Sequence, residues 1–419
     1  MRIRTSIDGV RVRSLTFRRR GNEGARLGGG AGRVNGGLVR RLSLSPHCAT
    51  LASSTEYADQ GVRRQNRTER NTAMGDHSAR KPYRQATPAR PAAIRPHKGR
   101  WSDAQAFAAL DLGTNNCRLL IARPQGNGFA VIDAFSRIVR LGEGLATSGR
   151  LSDAAIERTI AALRVCSDKL KRRNVTLARS VATEACRRAS NGEAFIARAL
   201  AETGIHLDII TAEEEARLAV LGCHALIEPG DDPALVFDIG GGSTELVLID
   251  TASQIPRVLD WHSAPWGVVS LTEHAGIGAD RDKLADIYAH MRATVAASMA
   301  PFAARLPRSV RSPRLLGTSG TVTTLGSVHL QLSSYDRSLV DGLIVPTHAM
   351  RQISEQLSRM TLAERSTLPC IGAERADLVV AGCAILETIM DLWPAERLGI
   401  ADRGIREGIL KRLMGSPRP

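Results

Sequence analysis

Two segments of this chain share one pattern, and that internal repeat constrains the fold more than any other feature. In each segment an apolar run ends in Asp, and an aliphatic residue, a Gly and a short polar turn lead into a second apolar run. The first is DLGTNNCRLLIA from Asp111, and the second is DIGGGSTELVLI from Asp238. One such turn is common in hairpins, but two in register indicate a duplicated fold. We therefore expect two similar halves, with the ligand site in the cleft between them.

Strand-like and helix-like patterns alternate along the rest of the chain, which is typical of an α/β layer fold. Ile156, Ile160 and Leu163 recur at helical spacing behind Ser152. The segment IHLDII, residues 205–210, is predicted to be a strand, and the spacing of Thr211 and Glu214 behind it predicts a capping box at the start of a helix. Later helices are predicted at about 281–305, 320–332, 347–360 and 374–392 and from about 404, with strands at 314–317 and 397–401.

The net charge of +15 is confined to one end of the chain. Residues 1–100 contain 22 Lys and Arg against 6 Asp and Glu, whereas the remainder contains 35 against 36. The basic segment is rich in Arg, Gly and Ser and lacks apolar periodicity, which favours a disordered extension. It could contact a polyanion by charge neutralisation; a transit peptide is the weaker alternative, because no amphipathic helix is evident. We assign residues 1–103 to this extension, 104–228 to the first half and 229–419 to the second, whose last helix is expected to pack back on the first.

Neither a membrane protein nor a disulfide scaffold is indicated. No apolar run approaches the length of about 18 residues that a membrane helix needs. The seven cysteines are odd in number, scattered and without a C-x-x-C pair. This usage is typical of a reducing compartment and argues against a zinc site. We therefore expect a cytoplasmic protein without membrane contact.

The three consecutive glycines of the second turn favour a phosphate site. Successive exposed backbone N–H groups form an anion-binding concavity, and the lack of Cβ atoms lets phosphate oxygens approach them. Gly240, Gly241 and Gly242 fit this use, with the hydroxyl groups of Ser243 and Thr244 as further donors. The alternative is a tight hairpin or bulge that needs a positive φ. That alternative needs only one glycine, so it does not explain three in a row.

The matched acids Asp111 and Asp238 each follow an apolar strand and precede a turn. Either one alone would be interpreted as a turn cap. As a pair beside phosphate they predict a Mg²⁺ site, since this cation is held by one or two carboxylates, waters and phosphate oxygens.

A third Gly-rich turn, in LLGTSGTVTTLG, follows a short strand and opens a predicted helix. Gly317, Ser319 and Gly320 lie where a helix N-terminus could bind an anion. It is not a P-loop, because no Lys followed by Ser or Thr occurs at the required spacing. G-x-G-x-x-G after a strand, H-E-x-x-H and G-x-S-x-G are also missing from the sequence, which excludes dinucleotide-dependent oxidoreductases, zincins and α/β-hydrolases.

Taken together, these turns resemble those of the actin, sugar kinase and heat-shock chaperone superfamily, and within it the resemblance is to the Ppx/GppA family of exopolyphosphatases and guanosine pentaphosphate phosphatases. Eight motifs occur in that family's order over roughly residues 105–412: DLGTNNCRLLIA, VATEACRRASNG, ITAEEEARLAVLG, DIGGGSTELVLI, APWGVVSLTE, GTSGTVTTL, ERADLVVAGCAIL and ADRGIREGIL. The chain resembles the short, two-domain branch. The resemblance implies two actin-like, ribonuclease-H-like α/β domains with a central cleft.

The resemblance also implies Mg²⁺-dependent hydrolysis of terminal phosphoanhydride bonds in inorganic polyphosphate, guanosine pentaphosphate or both. The residues alone leave Glu213, Glu214 and Glu215 equivalent, and the resemblance selects Glu215 as the catalytic base or water-orienting group, with Glu245 beside it. Asp111 and Asp238 would hold the metal. The remaining matched positions are expected to bind phosphate: Thr114, Asn115, Arg118, Arg187, Gly240, Gly241, Gly242, Ser243, Thr244, Gly317, Ser319 and Gly320.

Two rival functions remain open at this point. A kinase of the same superfamily would transfer phosphate to a small acceptor and would need a nucleoside pocket. A non-catalytic sensor of alarmone or polyphosphate would bind without turnover, but it should lack the catalytic acids, and Glu215 and Glu245 are present. The resemblance also implies a possible homodimer.

Overall fold

The computed structural model describes residues 105–126, 128–252, 256–276, 281–307, 310 and 312–415. The N-terminal extension, with its predicted disorder and its possible polyanion contact, lies outside the described residues.

The first half is built on a five-stranded sheet. Its strands are β1 Ala106–Leu112, β2 Asn116–Gln125, β3 Gly128–Ile138, β4 Val175–Ala182 and β5 Asp208–Ile209. Strands β1, β2 and β3 are antiparallel neighbours, while β4 and β5 continue the sheet in parallel, in the order β3-β2-β1-β4-β5. Its helices are α1 Leu145–Ser148, α2 Asp153–Arg172, α3 Glu184–Arg188, α4 Gly192–Thr203 and α5 Ala212–Cys223.

The second half is built on a six-stranded sheet. Its strands are β6 Ala234–Ile239, β7 Thr244–Asp250, β8 Arg257–Ala264, β9 Arg314–Thr318, β10 Ile344–Pro346 and β11 Arg397–Ala401. Its helices are α6 Val268–Ala275, α7 Leu284–Arg305, α8 Gly320–His329, α9 Arg337–Val340, α10 Thr347–Ser358, α11 Leu362–Ser366, α12 Val379–Leu392 and α13 Ile405–Gly415. Short 3₁₀ turns lie at His224–Leu226 and Arg281–Lys283.

The two sheets repeat one topology. The order β8-β7-β6-β9-β11 of the second sheet reproduces the order and strand directions of β3-β2-β1-β4-β5, with β10 added at one edge. The register repeats as well, because Asp111 pairs across strands with Arg118, and Asp238 pairs with Glu245. The predicted α/β fold of two similar halves is confirmed.

Local differences from the predictions have simple causes. Strand β5 has two residues instead of the six of IHLDII, since only these pair with β4. The Thr211 hydroxyl accepts a hydrogen bond from the Glu214 N–H, as a capping box requires, but the Glu214 carboxylate accepts one from Arg179 at 2.8 Å instead of returning to Thr211. Helix α12 begins at Val379, later than predicted.

Helices α5 and α13 link the halves. From α13, Ile405, Ile409 and Leu410 are buried with Phe107 and Leu120 of the first sheet, so the last helix packs on the first half as expected. Reciprocally, three apolar residues of α5 are buried against strands of the second sheet; these are Ala216, Val220 and Cys223. Because α5 contacts both sheets, the boundary at 228/229 stays a prediction. No helix in the described ranges combines the length and apolarity that a membrane span requires.

Candidate active site

A cleft lies where six backbone segments converge: the turns after β1 and β6, the junctions of β4 with α3 and of β9 with α8, and the starts of α5 and α13. Each sits at the end of a strand of one of the two sheets, which is why residues far apart in sequence meet here. Most of the predicted site residues line this cleft: Asp111, Thr114, Asn115, Arg118, Glu215, Asp238, Gly240, Gly241, Gly242, Ser243 and Ser319. Gly320 lines an adjoining cavity.

The glycines of the second turn are required by contact with the first turn. A Cβ on Gly241 would lie 2.9 Å from Cβ of Thr114, and one on Gly242 would lie 2.7 Å from the Thr114 hydroxyl oxygen. None of Gly240–Gly242 has a positive φ, so the hairpin interpretation based on left-handed backbone does not hold. The missing side chains let the two turns touch across the cleft, in addition to any space they leave for a phosphate.

The same turn also holds helix α6. The carbonyls of Gly240 and Gly241 accept hydrogen bonds from the N–H groups of Val268 and Val269, at 2.9 and 2.8 Å. Gly267, before the helix, lies so close that a Cβ there would be 2.4 Å from the Gly241 carbonyl carbon. Sequence reasoning missed Gly267 because its contact partner is distant in the chain.

Besides Gly320, four predicted phosphate or catalytic residues do not line the cleft. A Cβ on Gly317, within β9, would lie 2.7 Å from the Phe237 ring, so this glycine serves core packing. The fully buried Thr244 donates its hydroxyl hydrogen bond to the Trp266 carbonyl. Arg187 and Glu245 are not part of the cleft wall, although both are linked to residues that are.

Glu215 lies in the first turn of α5 and is buried, with 7% of its surface exposed. Nη1 of Arg187 donates a hydrogen bond to its Oε2 at 3.0 Å. Burial and then the charge of Glu245 raise the pKa of Glu215 well above its usual range, against the opposing effect of Arg187. The neighbouring Glu213 and Glu214 pair with Arg217 and Arg179 and do not line the cleft. The structure thus separates three glutamates that the sequence left equivalent.

Glu245 lies one layer deeper, with only 2% exposure. Its Oε1 accepts hydrogen bonds from the hydroxyls of Ser243 at 2.8 Å and Ser263 at 2.9 Å. Burial and the charge of Asp238 raise its pKa to about 7. A carboxyl group with this pKa exchanges a proton near neutral pH.

Asp111 and Asp238 face the cleft from equivalent positions of the two halves. Oδ1 of Asp111 is buried and has no hydrogen-bond partner, and burial raises the pKa of this carboxyl. Burial raises the pKa of Asp238 to about 6, although Arg118 and a hydrogen bond from Ser319 act against it. Among the described residues no group of three His, Cys, Asp or Glu forms a complete metal site. Two carboxylates and an unsatisfied oxygen fit Mg²⁺, which keeps waters and phosphate oxygens as its other ligands.

Ser319, the residue before α8, has a strained backbone. Its φ of 82° and ψ of −176° lie in a region that is essentially restricted to glycine. Arg118 reaches the same helix end, since a Cβ on Gly320 would lie 3.7 Å from Nη2 of Arg118. Strain of this kind persists where the surroundings fix it and is frequent at functional sites.

The start of α13 also lines the cleft, although no site role was predicted for it. This segment contributes Asp402, Arg403, Gly404, Ile405 and Arg406. The sequence feature that could have indicated this contribution is the motif ADRGIREGIL, in which charged residues and a glycine precede the last helix. A second cavity shares Asn115 and Arg118 with the cleft and has apolar walls from Ile239, Val268, Leu378 and Val379.

The two repeated α/β halves define an actin-like fold. The carboxylates and arginines that face the shared cleft are the residue types that bind and hydrolyse phosphate compounds. The chain belongs to the Ppx/GppA phosphatase family, which it matches over residues 120–416.

Similar proteins span most of the described region. The chain is 31% identical to exopolyphosphatase 2 of Mycobacterium tuberculosis over 74% of its length and 98% of that protein. It is 29% identical to guanosine-5'-triphosphate,3'-diphosphate pyrophosphatase of Aeromonas hydrophila, over 74% of this chain but only 60% of that longer protein. Among solved structures, the Ppx/GppA family member of Aquifex aeolicus has a TM-score of 0.60 and 28% identity, covering 74% of this chain and 97% of the other.

Proposed function

We propose that this protein hydrolyses terminal phosphoanhydride bonds of inorganic polyphosphate, of guanosine pentaphosphate, or of both, and releases orthophosphate. The observation that carries the proposal is the placement of buried Glu215, paired with Arg187 at 3.0 Å, in the wall of a cleft bounded by two glycine-containing turns. Family membership and the names of its relatives support the same reaction class.

Glu215 acts as the group that orients the attacking water and accepts its proton. Its raised pKa makes it a better base than an exposed glutamate. Arg187 holds the carboxylate in place, because the same guanidinium donates to the Ile210 carbonyl at 2.7 Å and to Glu184 at 2.7 Å. The charge of Glu245 contributes to the raised pKa of Glu215. These groups arrange the nucleophile, which is one of the two requirements of phosphoryl transfer.

Charge neutralisation is the other requirement. Arg118 presents a guanidinium whose geometry matches phosphate oxygens. The N–H groups of Gly241 and Gly242 and the hydroxyl of Thr114 provide further donors on the cleft wall. We propose that the terminal phosphate lies between the two turns, where these donors stabilise the charge that develops on its oxygens.

Asp111 and Asp238 are the residues that would hold Mg²⁺. When bound, the ion would neutralise phosphate charge and help to position the substrate. Without a cation the two carboxylates oppose substrate binding, because they carry the same sign of charge as phosphate and their burial limits screening by water.

Guanosine pentaphosphate remains a candidate substrate, as well as polyphosphate, because of the second cavity. Its apolar wall could pack against a nucleoside base while the phosphates enter the adjoining cleft. The compartment that we propose is the reducing cytoplasm, in keeping with the free state of all six described cysteines.

The direct test measures orthophosphate release from long-chain polyphosphate and from guanosine pentaphosphate, with Mg²⁺ and with EDTA. No acceptor is added, so release distinguishes hydrolysis from the transfer that a kinase would need. We expect orthophosphate to be released from at least one of the two substrates with Mg²⁺, and from neither with EDTA. Tight binding of both substrates without release would instead support the sensor.

A further inference from the structure

Arg406 is the second residue of helix α13 and lies in the wall of the cleft. The function proposed above assigns it no role. Its surroundings differ from those of the other arginines near the site, because Arg187 is paired with Glu184 and Glu215, and Arg403 is paired with Asp341 at 2.6 Å.

Arg406 shares its immediate environment with Arg118 and Asp111. The charge of Arg406 acts on Asp111 from one element while that of Arg118 acts on it from another, and the two guanidinium groups repel each other. Within the described part of the chain, neither guanidinium forms a hydrogen bond or ion pair with a protein group, and Oδ1 of Asp111 is itself without a partner. Two unpaired cations therefore face one cleft.

The acids nearest to Arg406 in sequence are engaged elsewhere. Glu407 accepts one hydrogen bond from Arg337 at 3.1 Å and another from the Gly404 N–H at 2.9 Å. Asp402 is 3.2 Å from Nε of Arg337. Neither carboxylate is therefore available to neutralise Arg406 by direct contact.

The position of Arg406 is fixed relative to the catalytic glutamate. Helix α13 touches α5 backbone to backbone, since a Cβ on Gly408 would lie 2.0 Å from the Leu218 carbonyl oxygen and one on Gly222 would lie 2.0 Å from that of Gly404. Helix α5 carries Glu215 at its other end. Movement of α13 alone would break this contact, so the backbone that carries Arg406 has a defined place relative to α5.

A desolvated cation without a partner is costly, and a second cation nearby adds to the cost. Burial lowers the pKa of Arg406, which reflects this unfavourable environment. An anion between Arg406 and Arg118 would remove the penalty and gain charge-assisted hydrogen bonds from both guanidinium groups.

We propose that Arg406 is a substrate-binding residue and that it holds, together with Arg118, the phosphate group that enters the cleft between the two turns. The inference rests on the proposed phosphoanhydride hydrolysis and extends it to a second arginine. Binding from two directions would fix the orientation of the phosphate, because each guanidinium imposes a planar donor geometry.

The test compares Arg406→Gln with Arg412→Gln, which removes the same charge from an exposed position of the same helix. Phosphate release from polyphosphate with Mg²⁺ gives KM and kcat, and thermal unfolding monitors the fold. A second measurement records equilibrium binding of polyphosphate to Glu215→Gln with and without Arg406→Gln, so that affinity is measured apart from turnover. We expect Arg406→Gln to raise KM and to weaken binding by about tenfold or more, the usual effect of losing a charged hydrogen bond.

Unchanged KM and unchanged binding in a folded Arg406→Gln variant would overturn the inference, whereas absence of release by the wild-type protein would refute the proposed function instead. If Arg406→Gln does not fold, Arg406→Lys decides. Lysine keeps the positive charge but lacks the planar set of N–H donors of a guanidinium, so a KM between those of the wild type and of Arg406→Gln is expected. A wild-type KM would contradict a guanidinium contact with phosphate.

Discussion

Nη1 of Arg187 lies 3.0 Å from Oε2 of Glu215, and this ion pair joins helix α3 to the first turn of helix α5. The pair is part of a chain, because Nη2 of the same arginine lies 2.7 Å from Glu184, which lines the cleft. Burial raises the pKa of Glu215, and Arg187 limits the rise. The balance between them sets how readily this glutamate accepts a proton.

Replacing Glu215 tests that role directly. Glu215→Gln should lower kcat for phosphate release by about 10²–10⁴-fold, the usual contribution of a positioned general base. Polyphosphate binding should persist, because the phosphate donors are untouched. The matched control is Glu213→Gln, a half-buried acid on the same helix that forms an ion pair with Arg217 and does not line the cleft. Comparable activity in the two variants would remove Glu215 from the mechanism.

Arg187 should control the pH dependence of activity. Because Arg187 lowers the pKa of Glu215, Arg187→Gln should raise that pKa and keep the glutamate protonated to higher pH. The acidic limb of the kcat/KM profile is therefore expected to move toward alkaline pH. The measurement is phosphate release from pH 5 to 9 at constant ionic strength, with Arg217→Gln as control. If the acidic limb of the kcat/KM profile does not move, a group other than Glu215 determines its pH.

Asp238 should make stability depend on pH when no divalent cation is present. Burial raises its pKa from 3.8 to about 6, so between these values the folded protein holds a proton that the unfolded chain has released. Its effect on the free energy of unfolding is therefore neutral below about pH 4 and becomes destabilising as pH rises through about 6. In EDTA, the Tm of Asp238→Asn minus that of the wild type should increase from pH 4 to 7. A constant difference would contradict the raised pKa.

Mg²⁺ should stabilise the folded protein through the same carboxylates. A ligand that binds only the folded state raises Tm with its concentration, so Mg²⁺ is expected to raise the wild-type Tm at pH 7.5. Asp111→Asn should reduce this increase, whereas Asp168→Asn, at an exposed position of α2, should preserve it. Equal increases in both variants would place the cation elsewhere.

Gly267 should be intolerant of any side chain. In Gly267→Ala the new Cβ would meet the Gly241 backbone at 2.4 Å, and overpacking of this kind costs about 1–3 kcal/mol. Since the displaced Gly241 belongs to the cleft wall, activity should fall as well. Gly128→Ala is the control, because its Cβ would lie 4.0 Å from the nearest atom. Urea unfolding and phosphate release provide the two readouts, and an equal stability of both variants would show that the second turn moves freely.

The sequence by itself determined the duplication and most of the cleft wall. Apolar runs of period two and the repeated Asp-x-Gly turns are local signals, so they fixed the hairpins that place Asp111 and Asp238 at equivalent points. Register follows from the alternation of apolar residues, since a shift by one residue would turn the buried side chains outward. The helix after Ser152 was set in the same way, by spacing and by the Ser152 cap.

Only the tertiary structure decided what each residue in those turns faces. Gly317 and Gly320 belong to one motif, yet the first meets the Phe237 ring and the second lies near Arg118. Among three consecutive glutamates of α5, Glu215 alone is buried against Arg187. Arg406 joins the site because α13 crosses to the first half and packs on α5. These outcomes depend on contacts between segments far apart in the chain, and local sequence patterns carry no direct record of such contacts.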